Sequence, residues 1–261
     1  MPAIANQRSL RPTSTSLDRV AAISPELFLS RYYAANEPML WESFLRNSPA
    51  VRNWSPQHFA ERFGDVTVEV MTELKQHPNY ELKGNRQGQT MSIRDLVQTI
   101  ERDPDGGDLY LVAQCHALQQ PELAPLLEDL KLDPAFFDSH NSSEKISVWM
   151  GPANTVTPLH YDLSNLLLAQ VYGRKRVNLI SPLNTGHLYN HRGGYSQVDP
   201  EQPDFNKFPL FENVTVYTVL LEAGDALFLP FGWWHHVRSL SSSISLSIGS
   251  FVWPNPFVAT E

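Results

Sequence analysis

Cysteine is almost absent from this sequence, because Cys115 is the single cysteine among 261 residues. A lone cysteine forms no disulfide within its own chain, so nothing in the sequence requires an oxidising compartment. We expect Cys115 to be a small buried hydrophobic residue, which is the usual environment of an isolated cysteine.

Long apolar runs are absent as well. No stretch reaches the ~18–20 consecutive apolar residues that a membrane-spanning helix needs. Residues 1–16 are polar and contain no apolar segment typical of a secretory signal. The sequence therefore predicts a cytoplasmic protein that does not enter a membrane.

Positive charge is in the minority, with 20 Lys and Arg against 28 Asp and Glu, which gives a net charge of −8. Non-specific nucleic-acid binding needs Lys and Arg to replace the counterions of the phosphates. The longest basic run, Arg174 to Arg176, is too short to follow a phosphate backbone by itself. We therefore expect no nucleic-acid partner.

The order of predicted elements places helices before strands. Residues 1–20 are predicted as a flexible tail, and 21–261 as a single domain with a helical part at about 21–140 and a barrel at about 141–255. In the helical part we predict helices that start at Ser24, Ser55 and Thr90, and strands at 37–40, 66–70 and 109–113.

From residue 145 onward, β-rich runs dominate and are separated by Gly and Pro. We predict strands at 145–150, 166–172, 176–180, 214–221, 226–229 and 243–252. Because helices and strands do not alternate, a mainly β fold of antiparallel strands, with a helical N-terminal region, fits better than an α/β fold.

One short motif carries potential metal ligands. In Thr157-Pro-Leu-His160-Tyr-Asp162, the imidazole and the carboxylate are two residues apart, so an extended chain points both to one face. Two histidines and one carboxylate form the facial triad of non-haem Fe(II) oxygenases, which leaves positions open for co-substrate and oxygen. A second histidine is therefore needed from elsewhere in the chain.

That histidine is expected in the segment from Gly224 to Val237, where a turn, an apolar strand and two adjacent histidines follow one another. In a strand, His235 and His236 face opposite ways, and we choose His235 over His236. The remaining histidines are interpreted as ordinary surface or core residues: His58, His77, His116, His140, His187 and His191.

A basic residue follows the first motif. Two strands are predicted to be joined by a turn at Gly173, which sends the basic residue Lys175 back toward the strand of the first motif. A dicarboxylate co-substrate needs a cation at the far end of its pocket, and we assign that role to Lys175.

These motifs resemble those of the JmjC/cupin-8 family of 2-oxoglutarate-dependent oxygenases, in particular its small hydroxylase branch, which includes the asparaginyl hydroxylase of the hypoxia-inducible factor. The likeness lies in residues 151–162, 169–176 and 224–237, extends upstream to 54–66 and 108–112, and covers roughly residues 25–255. It implies a double-stranded β-helix, the jelly-roll or cupin barrel, with the helical region packed on it.

The resemblance also implies the site. His160, Asp162 and His235 would bind Fe(II), and Lys175 and Thr157 would hold the distal carboxylate of 2-oxoglutarate, with Tyr110 as a further contact. The reaction would convert 2-oxoglutarate and O2 to succinate and CO2 and would hydroxylate a substrate.

Two positions depart from the family's pattern. Many relatives carry Asn four residues after the metal-binding Asp, where this chain has Leu166 with Asn165 one place earlier. Many also carry Asn where this chain has Ser250. The chain has no room for the C-terminal dimerisation helices of some relatives, so we expect a homodimer, if one forms, to use another surface.

The expected substrate is an amino-acid side chain of a protein or peptide, because the likeness is to the hydroxylase branch. A small metabolite or biosynthetic precursor is the alternative, and the long polar segment at 183–213 is expected to decide between them as a surface loop over the site, unless it is a disordered insertion. Lysine demethylation is less expected. A non-catalytic metal-binding cupin is the alternative from another class.

Overall fold

The structure is a computed structural model that describes residues 17–74, 88–140, 142–191 and 194–255. Within these residues the strands are β1 Asp18–Val20, β2 Met39–Trp41, β3 Thr67–Thr72, β4 Gly88–Ser92, β5 Leu109–Tyr110, β6 Ile146–Gly151, β7 Val156–His160, β8 Leu166–Tyr172, β9 Lys175–Ile180, β10 Asn190–His191, β11 Tyr195–Ser196, β12 Tyr217–Leu221, β13 Ala226–Leu229, β14 Trp234–Ser239 and β15 Ser243–Ile248.

The helices are short and lie mostly in the first half of the chain. The α-helices are α1 Pro25–Phe28, continued by a π-helical turn Leu29–Tyr33, then α2 Pro49–Asn53, α3 Pro56–Phe63, α4 Ile93–Arg102, α5 Pro125–Glu128 and α6 Ser142–Lys145. Turns of 3₁₀ helix lie at Ala113–Cys115, Ala117–Gln119, Pro121–Leu123, Pro182–His187 and Pro209–Asn213.

Serine followed by proline begins three of the helices. The hydroxyls of Ser24, Ser48 and Ser55 each accept a hydrogen bond from a backbone N–H of the first turn, and proline follows where no N–H is needed. The predicted helix starts at Ser24 and Ser55 are thus confirmed. The predicted start at Thr90 is wrong, because Gly88–Ser92 pairs with β3 and Ser92 caps a helix that begins at Ile93.

Two six-stranded sheets form the barrel, with strand orders β1-β2-β13-β8-β15-β6 and β10-β11-β7-β14-β9-β12. Apart from the parallel β1–β2 pair, the pairings within them are antiparallel. A third sheet, β4-β3-β5, belongs to the N-terminal region. This is the expected mainly β jelly-roll architecture, with a helical N-terminal region packed on one sheet.

β15 shows how the sequence places the core. Ile244, Leu246 and Ile248 face outward and join the large apolar cluster shared with the helical region, whereas the intervening serines face the barrel interior. At the centre of that cluster is Phe28, which is fully buried and contacts the rings of seven other aromatic residues. The helical region and the barrel therefore share one hydrophobic core.

Several element boundaries differ from the prediction. Residues 18–20 were assigned to the tail but form β1, which pairs with β2, while residues 1–16 lie outside the described part of the chain. The strand predicted at 109–113 ends at Tyr110, because the chain turns into 3₁₀ helix at Ala113. The strand predicted at 37–40 lies at 39–41, the strand predicted at 214–221 begins at Tyr217, and the strand predicted at 243–252 ends at Ile248.

Among the helices that the structure describes, none is both long and apolar enough to cross a bilayer.

Candidate metal and co-substrate site

The site begins with two neighbouring strands, β7 and β14, on which His160 and His235 are directly paired. Their ring centroids lie 4.1 Å apart. The pairing register shifts between Val237 and His235, so that three residues of β7 span two of β14. This bulge turns both Thr157 and His160 into the barrel, although they are three positions apart and would face opposite sides of a regular strand.

Asp162 completes the group from just outside the strand. β7 ends at His160, so strand alternation alone does not bring Asp162 to the same side as His160. The chain turns there, and the carbonyl of Asp162 accepts a hydrogen bond of 3.0 Å from the N–H of Gly232. Asp162 Oδ2 lies 3.6 Å from His235 Nε2, and ligand atoms of His160, Asp162 and His235 all lie within 4.8 Å of one another.

Hydrogen bonds fix both imidazoles in the form that a metal needs. His160 Nδ1 lies 2.8 Å from the carbonyl oxygen of Pro158, and His235 Nδ1 lies 3.1 Å from that of Trp233. A nitrogen facing a carbonyl must carry the proton, which leaves the lone pair on Nε2. Burial, together with the neighbouring His160, lowers the pKa of His235 and keeps its ring neutral. The donor set therefore fits a divalent metal.

His236 faces away from this group. Its Nε2 lies 4.0 Å from Asp199 Oδ1 on the outer side of the sheet. Asp199, Glu201 and His236 also bring possible metal-ligand atoms together. However, the Glu201 carboxylate is already neutralised by Arg238, to which it is hydrogen-bonded, and by Arg176 at 3.3 Å. We therefore interpret that second group as an ion-pair network.

The other histidines do not join the site. His58, His116, His140 and His187 belong to neither of the groups of potential metal ligands found among the described residues. His77 lies outside the part of the chain that the structure describes.

Lys175 lies in the same cavity as the three potential metal ligands and is 1% exposed. Its ammonium group donates to the hydroxyls of Tyr110 at 2.9 Å and Ser245 at 2.6 Å. Within the described part of the chain, no carboxylate forms a salt bridge with it. Burial lowers the pKa of Lys175 to about 7. A buried amine whose hydrogen bonds among the described residues go to hydroxyls, and which lies over the Tyr110 and Trp149 rings, is suited to an anionic ligand.

The neighbours of this group match the predictions in part. Thr157 lines the cavity and Tyr110 contacts Lys175 directly. Leu166 also lines the cavity, whereas the side-chain oxygen of Asn165 accepts a hydrogen bond from the N–H of Phe231 and so does not replace the missing asparagine. Ser250 is fully buried, and its hydroxyl has no hydrogen-bond partner among the described residues.

Four residues of the site were not predicted, namely Trp149, Tyr195, Ser245 and Ser247. Ser245 contacts Lys175, and Ser247 accepts a hydrogen bond of 3.2 Å from Trp149 Nε1. Tyr195 stacks on His160, with ring centroids 5.3 Å apart and an angle of 13° between the rings. The alternation of serine with Ile and Leu in β15 could have indicated Ser245 and Ser247, but nothing in the sequence indicated Tyr195.

The cavity that joins these residues has a volume of about 780 Å³. Trp149, Lys175 and Tyr110 lie together in its lining, to which residues 252–255, Glu144 and Ser164 also belong. Cavities of this size bind small organic molecules, and this one has room for a substrate group beside a small co-substrate.

Comparison with known proteins agrees with the fold. Residues 25–253 match the family model described as a cupin-like domain. The chain is 32% identical over 238 residues to JmjC domain-containing protein D of Dictyostelium discoideum, covering 84% of this chain and 52% of that protein. It is 31% identical over 241 residues to Lysine-specific demethylase 8 of Xenopus tropicalis, covering 90% and 53%.

A more distant relative is tRNA wybutosine-synthesizing protein 5 of Homo sapiens, 28% identical over 244 residues, which cover 88% of this chain and 76% of that protein. The chain thus spans about half the length of the first two relatives. It belongs to the cupin-like JmjC family of Fe(II)- and 2-oxoglutarate-dependent oxygenases, which use O2.

Proposed function

We propose that this chain is a 2-oxoglutarate-dependent hydroxylase of an amino-acid side chain in a protein or peptide. One observation carries the proposal: the His160, Asp162 and His235 group shares a cavity with the buried cation Lys175. A facial set of two imidazoles and a carboxylate suits Fe(II), and a buried cation suits the distal carboxylate of 2-oxoglutarate.

The residues have separable tasks in this proposal. Nε2 of His160, Nε2 of His235 and the carboxylate of Asp162 hold the metal. Lys175, with Tyr110 and Thr157, holds the distal carboxylate of the co-substrate. When bound, Fe(II) with 2-oxoglutarate and O2 supplies the oxidation, in which 2-oxoglutarate becomes succinate and CO2 and one oxygen atom enters a C–H bond of the substrate.

The assignment of a protein or peptide substrate rests on the relatives and on the cavity mouth. Several similar proteins are named as lysine-specific demethylases, and lysine is a protein side chain. Val252, 45% exposed, lines the cavity, and Leu163, 57% exposed, directly follows Asp162. In this proposal such exposed side chains would give a larger substrate apolar contact next to the site.

A small metabolite is the second candidate, since a cavity of about 780 Å³ would also hold one beside 2-oxoglutarate. The relative named for wybutosine synthesis on tRNA adds a nucleotide substrate to that candidate. The net charge of −8 disfavours a nucleic acid. Complete ligand geometry and a buried lysine argue against a metal-binding cupin without turnover.

The test is aerobic turnover with Fe(II), 2-oxoglutarate and either a peptide library or a protein extract. We expect succinate to form and a peptide to gain the mass of one oxygen atom, with His235→Ala inactive and His236→Ala active. A hydroxylated metabolite without a hydroxylated peptide would favour the second candidate. No succinate with any substrate would favour the non-catalytic cupin.

The proposal also includes a cytoplasmic location, with a homodimer as the oligomeric state to be tested. The lone cysteine and the absence of a spanning helix among the described residues are compatible with that location. Light scattering of the purified protein would determine the oligomeric state.

A further inference from the structure

The described residues of the segment 183–213, which are 183–191 and 194–213, cover the outer face of the sheet that carries the two histidines. Its residues Leu188, Val198, Phe208 and Phe211 form one buried apolar cluster with side chains of β7, β9 and β14. At the centre of the cluster is the fully buried Trp234, whose Nε1 donates to Thr185 Oγ1 at 2.9 Å. The parts of this segment that the structure describes are therefore packed against the sheet, as a structured cover rather than a disordered insertion.

An ion-pair network also fixes the segment. Arg176 and Arg238 are directly opposite each other on β9 and β14, so their like charges would repel. Glu201 of the segment lies against both and is hydrogen-bonded to Arg238. The Glu201 side chain is only 9% exposed, so its charge depends on these partners.

One side chain of the same segment, that of Tyr195, lies on the inner side of the sheet, where the cavity is. Tyr161 N–H donates to the carbonyl of Gly194 at 3.1 Å, and Gly194 has a φ of +95°, which favours glycine. The next residue, Tyr195, pairs with His160 in the β11–β7 ladder. The rings of Tyr195 and His160 are nearly parallel, and Tyr195 lines the cavity.

We infer that Tyr195 is a positioning residue for the metal ligand His160. The hydrogen bond from Nδ1 to Pro158 fixes one edge of the imidazole but leaves the ring free to rock about it. The ring of Tyr195, which is stacked on the imidazole, restricts that motion. His160 Nε2 therefore already points to the metal position before a metal is bound. The inference rests on the proposed function, because it assumes that His160 is a metal ligand.

The aromatic ring of Tyr195, and not its hydroxyl, holds His160 in place in this inference. One set of variants therefore removes the ring, and another removes only the hydroxyl. We would measure the dissociation constant and the visible absorption of Co(II), a divalent probe that binds the same nitrogen and oxygen ligands. Tyr195→Leu and Tyr195→Val should bind Co(II) about three- to tenfold more weakly than the wild type, because a stacked aromatic pair is lost. Tyr195→Phe should match the wild type.

Tyr189→Leu is the matched control, since Tyr189 is a half-buried tyrosine of the same segment that packs on Phe208. It should leave Co(II) affinity unchanged, and thermal unfolding without metal would show that each variant is folded. Wild-type affinity in folded Tyr195→Leu or Tyr195→Val would overturn the inference but not the proposed function. Failure of the wild type to bind Co(II) would overturn both.

Discussion

His160 and His235 are direct partners across β7 and β14, and their rings lie 4.1 Å apart between centroids. A bulge next to this pair lets Thr157 and His160 face the same interior. Because each Nδ1 contacts a backbone carbonyl, both Nε2 atoms are available to a metal. The positions of the two proposed histidine ligands are therefore set by backbone pairing.

Adjacent histidines give the clearest test of which side chain binds the metal. His235→Ala should abolish Fe(II) binding, because it removes one of three ligands, whereas His236→Ala should retain it, because that ring faces the outer side of the sheet. Equilibrium dialysis with iron analysis would measure both. Loss of iron in folded His236→Ala, with retention in His235→Ala, would reverse the assignment.

Lys175 should dominate the binding of 2-oxoglutarate. Lys175→Met should weaken binding about ten- to hundredfold, as expected for loss of a hydrogen bond to a charged group, and Tyr110→Phe about two- to tenfold. Tyr172→Phe, on an exposed tyrosine of β8, is the control and should have no effect. Calorimetric titration in the presence of metal would give the affinities, and an unchanged Lys175→Met would contradict the assignment.

Co-substrate binding should depend on pH through the same lysine. Burial lowers the pKa of Lys175 to about 7, so the free protein loses that charge as the pH rises through 7. A bound carboxylate favours the charged form and raises the pKa again, so binding above pH 7 takes up one proton. The dissociation constant should therefore rise about tenfold per pH unit above 7.

Calorimetry in buffers of different ionisation enthalpy would count the protons taken up. Lys175→Arg remains charged, so its dissociation constant for 2-oxoglutarate should no longer rise with pH above 7, even if its affinity is lower. The same slope in Lys175→Arg would show that another group is responsible.

Phe28 should be important for stability, because it is fully buried and contacts seven aromatic rings between the helical region and the barrel. Phe28→Ala should lower the free energy of unfolding by about 3–5 kcal/mol. Its neighbour Leu27 is 51% exposed, and Leu27→Ala should change the free energy of unfolding by less than about 0.5 kcal/mol. Urea denaturation would compare them, and similar losses would contradict the described core.

The sequence predicted the fold class and the residues that meet at the site because both depend on local patterns. Alternation in a strand separates His235 from His236, and serine-proline pairs mark the helix starts. The choice of His235 agrees with the geometry because the strand after Gly232 is regular. Where a strand is regular, the spacing of residues in the sequence was sufficient to predict which face of the sheet a side chain occupies.

The rest depended on tertiary contacts. Tyr195 contacts His160 because its strand, β11, pairs with β7, and Ser245 contacts Lys175 across the barrel. The helix at Thr90 was predicted too early because residues 88–92 have no strong preference, and pairing with β3 decides their conformation. Short-range patterns carry no information about such partners.

The most direct test of the central claim is the visible absorption spectrum of the protein without oxygen, with Fe(II) and 2-oxoglutarate added. Chelation at the proposed site predicts a weak charge-transfer band that requires both additions. It should disappear in His160→Ala, Asp162→Ala and His235→Ala, persist in His236→Ala and weaken in Lys175→Met. If folded protein with Fe(II) bound shows no band, 2-oxoglutarate does not chelate there, and the oxygenase assignment would be contradicted.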